Sequence, residues 1–221
     1  MRCANQECGG VLARRPFRTN ASVELPVTAV ILTHNEEKNI ARCLGSIGAL
    51  PNVFVVDSGS TDRTLKICEA HGVTLVHHPY SNHASQWQWS LANLPVTTPW
   101  VLTLDADYAV TPELLARIQR ELAGVPEEIA GIYVRYFYRF GGGLIRFGGT
   151  KRVRLLIVRR NRVRADLGDL VDFRFVVEGK VMHWREPVVE YNRKDDDISV
   201  WTAKQDKFAL RPDRNADRWA D

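Results

Sequence analysis

The chain has 221 residues, 45% of them hydrophobic and 25% charged, with a formal net charge of +4, a composition that excludes disordered and fibrous proteins. No apolar run approaches the roughly 20 residues of a membrane-spanning helix, and the first 26 residues lack the apolar core of a signal peptide, so we expect a cytoplasmic protein. The four cysteines do not form the two closely spaced pairs of a zinc site.

The first half of the chain alternates between short apolar runs and amphipathic segments. Residues 1–25 show no periodicity and are expected to form a mobile leader. Buried strands are predicted at 27–32, 52–57 and 73–77, each followed by a segment with helical periodicity. Strands that alternate with helices form βαβ units, so the first half predicts a mainly parallel sheet.

The next stretch, residues 100–107, is a predicted buried strand that ends in two acids, Asp105 and Asp107. Thr111 and Pro112 then begin a helix, as its capping residue and its first helical residue. In an extended segment, two acids one residue apart point the same way and repel each other unless a cation lies between them. Mg²⁺ and Mn²⁺, which prefer hard oxygen ligands, fit this pair. The alternative is a solvated acidic loop.

Polar residues follow three of these strands. Because right-handed crossovers place the carboxyl ends of parallel strands on one edge of a sheet, we expect these side chains to gather where α/β proteins bind ligands. Neither a Gly-x-Gly-x-x-Gly loop nor a Walker loop occurs, which argues against dinucleotide and P-loop sites. The converging residues are Thr33, Asn35, Asp57, Asp105 and Asp107.

The second half contains more strands than helices. Strands are predicted at 129–139 and 154–159, and a hairpin is predicted to turn at Glu178 and Gly179. Residues 195–197 are expected to cap a last helix. Such a run of strands indicates that the second half extends the same sheet and is not a separate domain.

Much of the second half is strongly basic. Ten basic residues lie between residues 135 and 164, without an acid among them. Such a run predicts a surface that binds phosphates in a nucleotide, a nucleic acid or an anionic membrane, and the alternative is a solvated face. The ten are Arg135, Arg139, Arg146, Lys151, Arg152, Arg154, Arg159, Arg160, Arg162 and Arg164.

Three motifs, in this order and near this spacing, resemble those of the inverting family 2 glycosyltransferases, which have a GT-A-type fold. The resemblance covers residues 27 to about 210. Segments 176–179 and 197–205 are similar to a subgroup that builds bacterial surface polysaccharide or lipopolysaccharide core. The three motifs are Thr33-His-Asn35-Glu36-Glu37, Val55-Val-Asp57-Ser-Gly-Ser-Thr-Asp62 and Leu104-Asp105-Ala-Asp107.

The resemblance implies an α/β fold of the GT-A (Rossmann-like) type: a mainly parallel mixed sheet flanked by helices, with a C-terminal acceptor-side extension of strands and a helix. It implies a single domain over residues 26–211, divided into a nucleotide-sugar-binding half at 26–125 and an acceptor-side half at 126–211, before a tail at 212–221. The implied reaction is metal-dependent and inverting. A sugar moves from a nucleotide-diphosphate sugar to a hydroxyl of a glycan or lipid-linked acceptor, in bacterial cell-surface polysaccharide or lipopolysaccharide biosynthesis.

The family's site residues carry over to the matching positions. In the family, the first-strand motif and the acid after the second strand hold the nucleoside. The first acid of the Asp-x-Asp pair contacts the ribose or the metal, and the second binds the metal. Gln86, on the helix after the third strand, is expected to contact the diphosphate. The nucleoside roles fall to Thr33, Asn35, Glu36 and Asp57, and the roles at the divalent metal fall to Asp105 and Asp107.

Inversion also requires a general base near the acceptor, away from the metal acids. Related enzymes often carry His-Glu or Asp-His where this chain has Asp172 and Phe173, so only Asp172 can supply the base there. Asp172 precedes an apolar segment, where partial burial would raise its pKa toward useful basicity. The alternative is a surface acid, with Asp169 and Glu190 as the next candidates. Glu186 precedes a proline and is expected in a loop.

Two other functions remain open at the level of sequence. A nucleotidyltransferase on a similar sheet would need a glycine-rich loop with Arg or Lys after the first strand, and residues 33–37 contain none of these. A non-enzymatic basic module would bind membrane or nucleic acid and would not need Asp105 or Asp107. For the glycosyltransferase, residues 135–164 predict peripheral docking at the anionic inner face of the cell membrane, and nucleic acid is not an expected partner.

Overall fold

The computed structural model describes residues 25–141, 143–144, 152–167, 174–194, 197–199 and 202–203. The predicted leader, apart from Leu25, and the tail at 212–221 lie outside these ranges. None of the described helices is long and apolar enough to cross a membrane. The strands are β1 Val27–Thr33, β2 Val53–Asp57, β3 Thr74–His77, β4 Trp100–Asp105, β5 Tyr108–Val110, β6 Ile129–Phe140, β7 Gly143–Leu144, β8 Arg152–Arg159, β9 Val163–Ala165, β10 Phe175–Val177 and β11 Lys180–Glu190. The helices are α1 Ile40–Ser46, α2 Thr64–Ala70, α3 His83–Asn93 and α4 Pro112–Glu121, with turns of 3₁₀ helix at Leu122–Gly124 and Arg160–Arg162.

One sheet runs through both halves of the chain. Its strand order is β3-β2-β1-β4-β8-β6-β11-β5, and β7 pairs with β6. The pairs among β1 to β4 are parallel, as is the pair β6–β11. β8 runs antiparallel to both β4 and β6. The predicted mainly parallel mixed sheet is therefore confirmed, and the second half extends it.

β1 is buried over its whole length because helices cover both faces of the sheet. Ala29 and Ile31 belong to an apolar cluster that also contains residues of α1, α2 and α4. Val30 and Leu32 belong to the cluster on the other face, which includes Trp87 of α3. Because successive strand residues point to opposite faces, a strand covered on both sides needs an uninterrupted apolar run. That run is the signal that predicted the strand.

The start of α4 agrees with the prediction from sequence. Thr111 Oγ1 accepts a hydrogen bond from Leu114 N at 3.3 Å, and Pro112 lies in the first helical turn. The Thr111 hydroxyl donates to Pro187 O at 2.8 Å, which links the start of the helix to β11. Thr111, which follows the two predicted metal acids and β5, is therefore bonded both to the first turn of α4 and to β11.

The predicted hairpin at Glu178 and Gly179 is wrong. β10 pairs antiparallel with β9 in a separate two-stranded sheet, whereas β11 joins the main sheet between β6 and β5. Gly179 has a φ of +144°, which residues with a side chain rarely adopt, and it lies against Ala130 of β6. The chain changes sheets at this glycine instead of folding back on itself.

The loop expected around Glu186 is also wrong, because Glu186 and Pro187 lie within β11. The register of β11 against β6 shifts between His183 and Pro187. A proline has no N–H to donate to a neighbouring strand, and such an irregularity lets a strand contain one. Glu186 accepts a hydrogen bond from Arg117 Nη1 of α4 at 2.6 Å. A sequence signal for a loop therefore marks a bulged strand here.

Only part of the predicted last helix is described. Residues 198–199 and 202–203 are helical, and Asp197 Oδ1 accepts a hydrogen bond from Ser199 N at 2.9 Å. This agrees with the predicted capping role of Asp197. The other predicted capping residues, 195 and 196, lie outside the described residues.

We predict that Gly179→Ala destabilises the fold by about 1–3 kcal/mol, the usual cost of a strained backbone. An added Cβ would lie 2.8 Å from Ala130 Cβ and 3.0 Å from Glu128 O. Urea unfolding measures this cost as a lower midpoint at unchanged slope. Gly124→Ala is the matched control, because nothing lies within 4 Å of its added Cβ. Equal midpoints for the two variants would contradict the prediction.

Candidate active site

The polar residues predicted to converge do lie at one edge of the sheet. β1 is flanked by β2 on one side and β4 on the other, so Thr33 pairs with Asp57 and Leu32 pairs with Asp105. Asp107 follows two residues later, in the turn that leads to β5. The carboxyl ends of three adjacent strands thus bring together the residues that the sequence singled out.

The Asp57 carboxylate organises the loop that follows β2. Asp57 is 3% exposed, and its Oδ2 accepts hydrogen bonds from Gly59 N at 2.8 Å and Ser60 N at 2.9 Å. Its Oδ1 accepts from the Ser60 hydroxyl at 2.5 Å. Gly59 has a φ of +92°, which this tight turn requires. The carboxylate is therefore held in one orientation, and four acceptor positions on its two oxygens leave capacity for a further donor.

Asn35 connects the loop after β1 to the loop after β2. Its Oδ1 accepts a hydrogen bond from Thr61 N at 2.7 Å, and its own N–H donates to Ser60 Oγ at 2.8 Å. Asn35 has a φ of +52°, and asparagine is among the few residues with a side chain that tolerate this conformation. The requirement for both the amide oxygen and the positive φ explains an asparagine at this position.

Asp62, at the end of the second motif, makes a second link between the two loops. Its Oδ2 accepts a hydrogen bond from Glu37 N at 3.1 Å. Its Oδ1 accepts one at 2.9 Å from the N–H of Thr64, the first residue of α2. Burial would raise the pKa of Asp62, but the hydrogen bonds from Thr64 and Glu37 outweigh it and hold this pKa below its usual range. The sequence analysis assigned Asp62 no role, although an acid just before a helix is a capping signal.

Glu36 contacts a segment far along the chain, at residues 192–194. Its Oε2 accepts a hydrogen bond from Asn39 Nδ2 at 2.7 Å, and its Oε1 accepts from Lys194 Nζ at 2.5 Å. Asn39 Nδ2 also donates to Asn192 Oδ1 at 3.1 Å. These contacts join the first motif to residues 192–194, so the carboxylate already has partners within the protein. Its predicted contact with the nucleoside stays a prediction.

Asp105 is the more exposed of the carboxylates that end strands, with a third of its side chain accessible. Its Oδ1 lies 3.5 Å from His83 Nε2, and the same nitrogen accepts a hydrogen bond from Trp87 Nε1 at 3.1 Å. His83 is therefore a neighbour of the acid pair that the sequence analysis missed.

The hydroxyl of Thr33, at the end of β1, is buried without a hydrogen-bond partner in the described part of the chain.

Gln86 is buried in the structure, with only 1% of its surface exposed. Its Nε2 donates to Ser58 Oγ at 3.1 Å and to His78 O at 3.2 Å. His78 Nδ1 donates to Gln86 Oε1 at 2.7 Å, and the His78 ring stacks on Trp89 at 4.0 Å. Gln86 therefore fixes α3 to the loops after β2 and β3. Its predicted contact with the diphosphate is not tested by these bonds and stays a prediction.

A contact network around Asp107 was not predicted. Asp107 O accepts hydrogen bonds from Tyr191 N at 3.0 Å and from Arg42 Nη2 at 3.3 Å. Arg42 also donates to Tyr191 O, and its guanidinium lies 4.6 Å from the centre of the Tyr191 ring. Burial and the charge of Arg193 lower the pKa of Arg42, against the opposing charge of Asp107. Arg42 lies on the polar face of α1. Its contact with Tyr191 joins residues that are far apart in the sequence, so no local sequence pattern predicts it.

The basic run does not form one surface. β8 runs antiparallel to β4, and Arg159 at its end pairs with Trp100 at the beginning of β4, away from the acids. Arg135 pairs with Val153 near the other end of β8, at the edge of the acids. The six residues from Arg154 to Arg159 span roughly 16 Å of strand. The prediction of a single phosphate-binding surface is therefore wrong for the described residues, because an antiparallel strand carries the charges to opposite edges of the sheet.

The arginines at the edge opposite the acids line a groove of about 550 Å³. Arg159 donates from Nε to Ile129 O at 2.8 Å, and Arg162 donates from Nη1 to Glu127 O at 2.7 Å. Both side chains thus bind the backbone that connects α4 to β6. The groove lies away from Asp105 and is not part of the candidate active site.

The predicted base, Asp172, and its alternate, Asp169, lie outside the described residues, as do Arg146 and Lys151. In the described ranges, no three or more His, Cys, Asp and Glu side chains are grouped so that they could hold a metal ion. A metal at Asp105 and Asp107 would take its other ligands from substrate and water, which is how Mg²⁺ is commonly bound.

Comparison with known proteins agrees with this geometry. LpsC of Rhizobium meliloti, a lipopolysaccharide core biosynthesis glycosyltransferase, is 28% identical over 207 residues, which cover 84% of this chain and 76% of LpsC. The uncharacterized glycosyltransferase RC0292 of Rickettsia conorii is 36% identical over 101 residues, 45% of this chain and 35% of that protein.

The crystal structure of TarS from S. aureus matches in fold, with a TM-score of 0.51 at 16% identity, over 79% of this chain and 38% of TarS. The chain thus spans little more than a third of TarS and of the Rickettsia protein. The likeness confirms the predicted GT-A-type fold. The model of glycosyl transferase family 2 matches residues 28–170, which contain all three loops of the site. The chain belongs to glycosyl transferase family 2.

Proposed function

We propose that this glycosyltransferase moves a sugar from a nucleotide-diphosphate sugar to a hydroxyl of a glycan or lipid-linked acceptor, with inversion and with a divalent metal. The observation that carries the proposal is the convergence of Asp57, Asp105 and Asp107 on one edge of the sheet. The name of LpsC supports a role in bacterial lipopolysaccharide or other surface polysaccharide biosynthesis. The alternative, a nucleotidyltransferase, would need a basic, glycine-rich loop after β1, and residues 33–37 contain no Gly, Arg or Lys.

The hydrogen bonds between the loops after β1 and β2 support the donor side of the proposal. Asn35 and Asp62 tie these loops together, and Asp57 is held by Gly59 and Ser60. A rigid acceptor oxygen suits recognition of an N–H on a nucleobase, because little side-chain freedom is lost on binding. In the proposal, Asp57 binds the base and Asp105 binds a ribose hydroxyl or the metal.

Asp105 and Asp107 fit a divalent metal by their chemistry. Both offer hard carboxylate oxygens, and Asp105 is accessible from solvent. When bound, Mg²⁺ or Mn²⁺ stabilises the negative charge that develops on the diphosphate as the sugar–phosphate bond breaks. The two residues would hold the ion, and the loops described above would orient the nucleoside beside it.

We predict that UDP or GDP binds at least roughly tenfold more weakly in EDTA than with Mn²⁺, because the acids alone repel a diphosphate. Asp107→Asn should abolish this metal dependence. Glu113→Gln is the control, since Glu113 is an exposed acid in the first turn of α4. Calorimetry measures both affinities. Equal affinity with and without metal would refute the metal part of the proposal.

The general base in the proposal is Asp172, with Asp169 and Glu190 as alternates. The acceptor hydroxyl must lose its proton while it attacks from the face opposite the diphosphate, which requires a base on the acceptor side. In the sequence, Asp172 falls between β9 and β10, in the half of the chain that the family resemblance assigns to the acceptor. A neutral amide at this position would keep the shape of the side chain and remove its basicity.

We predict that Asp172→Asn lowers the rate of sugar transfer roughly 10²-fold, the usual scale for loss of a general base. Donor and metal affinity should stay unchanged. Single-turnover transfer from a radiolabelled nucleotide sugar, to an acceptor identified by a donor and acceptor panel, measures the rate. Glu178→Gln is the control, because Glu178 is an exposed acid in the turn before β11. Transfer at the wild-type rate would exclude Asp172 and direct the test to Asp169 and Glu190.

The proposal includes peripheral docking on an anionic membrane, which would give access to a lipid-linked acceptor. Only arginines at the edge of the acids can serve this purpose, since the others lie at the opposite edge. Arg135 and Arg139 are exposed on β6 at the required edge. Basic residues near an anionic surface contribute about 1 kcal/mol each, so a few together support reversible binding.

We predict that the protein floats with vesicles containing anionic lipid and that salt weakens this binding, because screening acts on exposed charges. Arg135→Glu should reduce flotation. Arg160→Glu, the same change of charge at the opposite edge, should not. Flotation that is independent of anionic lipid, or equally sensitive to both substitutions, would contradict the proposed orientation.

A further inference from the structure

The groove at the edge of the sheet opposite the acids contains three arginines that are close together in the sequence. Arg159 ends β8, and Arg160 and Arg162 belong to the 3₁₀ turn that follows. The groove has a volume of about 550 Å³, which is within the range of pockets that bind small molecules. Its other walls come from the connection before β4 and the connection before β6. We call it the 159–162 groove.

Backbone carbonyls hold the three arginine side chains in place. Arg159 Nε donates to the carbonyl oxygen at the start of β6 at 2.8 Å. Arg162 Nη1 donates to Glu127 O at 2.7 Å, and Arg160 Nη2 makes a long hydrogen bond of 3.4 Å to Leu94 O. A carbonyl oxygen orients a guanidinium group but carries no net charge. The side chains are therefore positioned without being neutralised.

The positive charge in the 159–162 groove is only weakly compensated. Glu127 is the acid that lines it, and its Oε1 lies 3.4 Å from Arg162 Nη2 on a side chain that is 87% exposed. In the described part of the chain, Arg159 and Arg160 form no ion pair. Burial and the charge of Arg162 lower the pKa of Arg159, against the opposing charge of Glu127. An anion in the groove would relieve this repulsion between like charges.

Each of the three arginines also has a donor that the protein leaves unused. Arg159 Nη1, Arg160 Nη1 and Arg162 Nε make no hydrogen bond within the ranges that the structure describes. Of the partnerless nitrogens on these side chains, only Arg160 Nε is buried. The other three have surface that is open to solvent, so a ligand that enters the groove can reach them.

The shape and position of the groove favour a small soluble ligand. All three arginines are only partly exposed, so their guanidinium groups lie in the wall of the groove and do not protrude toward a flat membrane. The groove borders the start of β4, and the six residues from Trp100 to Asp105 span roughly 16 Å of strand. A ligand in the groove is therefore separate from any ligand at the acids.

We propose that the 159–162 groove is a second binding site of this protein and that it binds the phosphate group of a small soluble compound. Guanidinium groups suit phosphate because their planar donors match two of its oxygens at once. A phosphate bound there would connect the turn after β8 with the segments that precede β4 and β6. This site does not depend on the proposed glycosyl transfer.

The probe for the groove is inorganic pyrophosphate in EDTA, and the probe for the acids is UDP with Mn²⁺. Calorimetry at constant ionic strength compares the wild type with Arg160→Ala, Glu127→Gln and the control Arg185→Ala. Arg185 is an exposed arginine of β11 that does not line the groove. Arg160 makes one long side-chain hydrogen bond and Glu127 is exposed, so both variants should fold, and thermal unfolding checks this.

We expect Arg160→Ala to weaken pyrophosphate binding roughly tenfold, the scale of one charged hydrogen bond. Glu127→Gln should tighten it roughly threefold, because the acid that competes for Arg162 is gone. The control, and the affinity of every variant for UDP, should stay within about twofold of the wild type.

Absence of pyrophosphate binding to the wild type, or unchanged affinity in both Arg160→Ala and Glu127→Gln, would overturn the proposal. An equal loss in Arg185→Ala would show a general attraction by net charge and no built site. A parallel loss of UDP affinity in Arg160→Ala would assign the groove to the donor. Flotation on vesicles with anionic lipid provides the remaining test, since a loss of flotation in Arg160→Ala would assign the groove to a lipid headgroup and overturn the soluble ligand.

Discussion

The burial of β1 on both faces is the constraint on which the site depends. α1, α2 and α4 cover one face of the sheet and α3 covers the other, so β1 is apolar apart from Thr28 and Thr33. It pairs with β2 and β4 in parallel. The three strands then end at the same edge, and the first polar residues after them meet there. The position of Asp57 relative to Asp105 is therefore a consequence of core packing, and the loops only refine it.

Those loops are held by the same residues that the family resemblance assigns to substrate. Asn35 and Asp57 accept hydrogen bonds from backbone N–H groups of the loop after β2, and Glu36 accepts from Lys194 far along the chain. A side chain that orders its own loop is oriented before a ligand arrives, which lowers the entropy lost on binding. Structural and binding roles are therefore compatible here, and a loss of ligand affinity in a variant of these residues requires a separate check of the fold.

The first half of the fold and its candidate site could be predicted because their signals are local. Apolar runs, the Thr111 cap and the acids after the strands can each be identified within a few residues of sequence. The second half could not be predicted to the same extent. β11 contains a proline and a register shift, and β5 has three residues, too few to show periodicity. The change of sheet at Gly179 depends on its contact with Ala130, a neighbour only in the folded chain.

The distribution of arginines along the sequence also differs from their distribution in the folded chain. The run from 135 to 164 is continuous in sequence, yet β8 carries Arg159 to the edge opposite Arg135. Arg42 and Arg193 are separated by most of the chain, yet both lie over the ring of Tyr191 beside Asp107. A charge that is read along the sequence therefore says little about a binding surface until the strand directions are known. Because the electrostatic effect of a charge on a ligand falls with distance, the functional unit is the set of charges that the sheet brings to one edge. By this criterion, Arg42, whose guanidinium donates to Asp107 O, is more relevant to the acids than Arg159, which lies at the opposite edge.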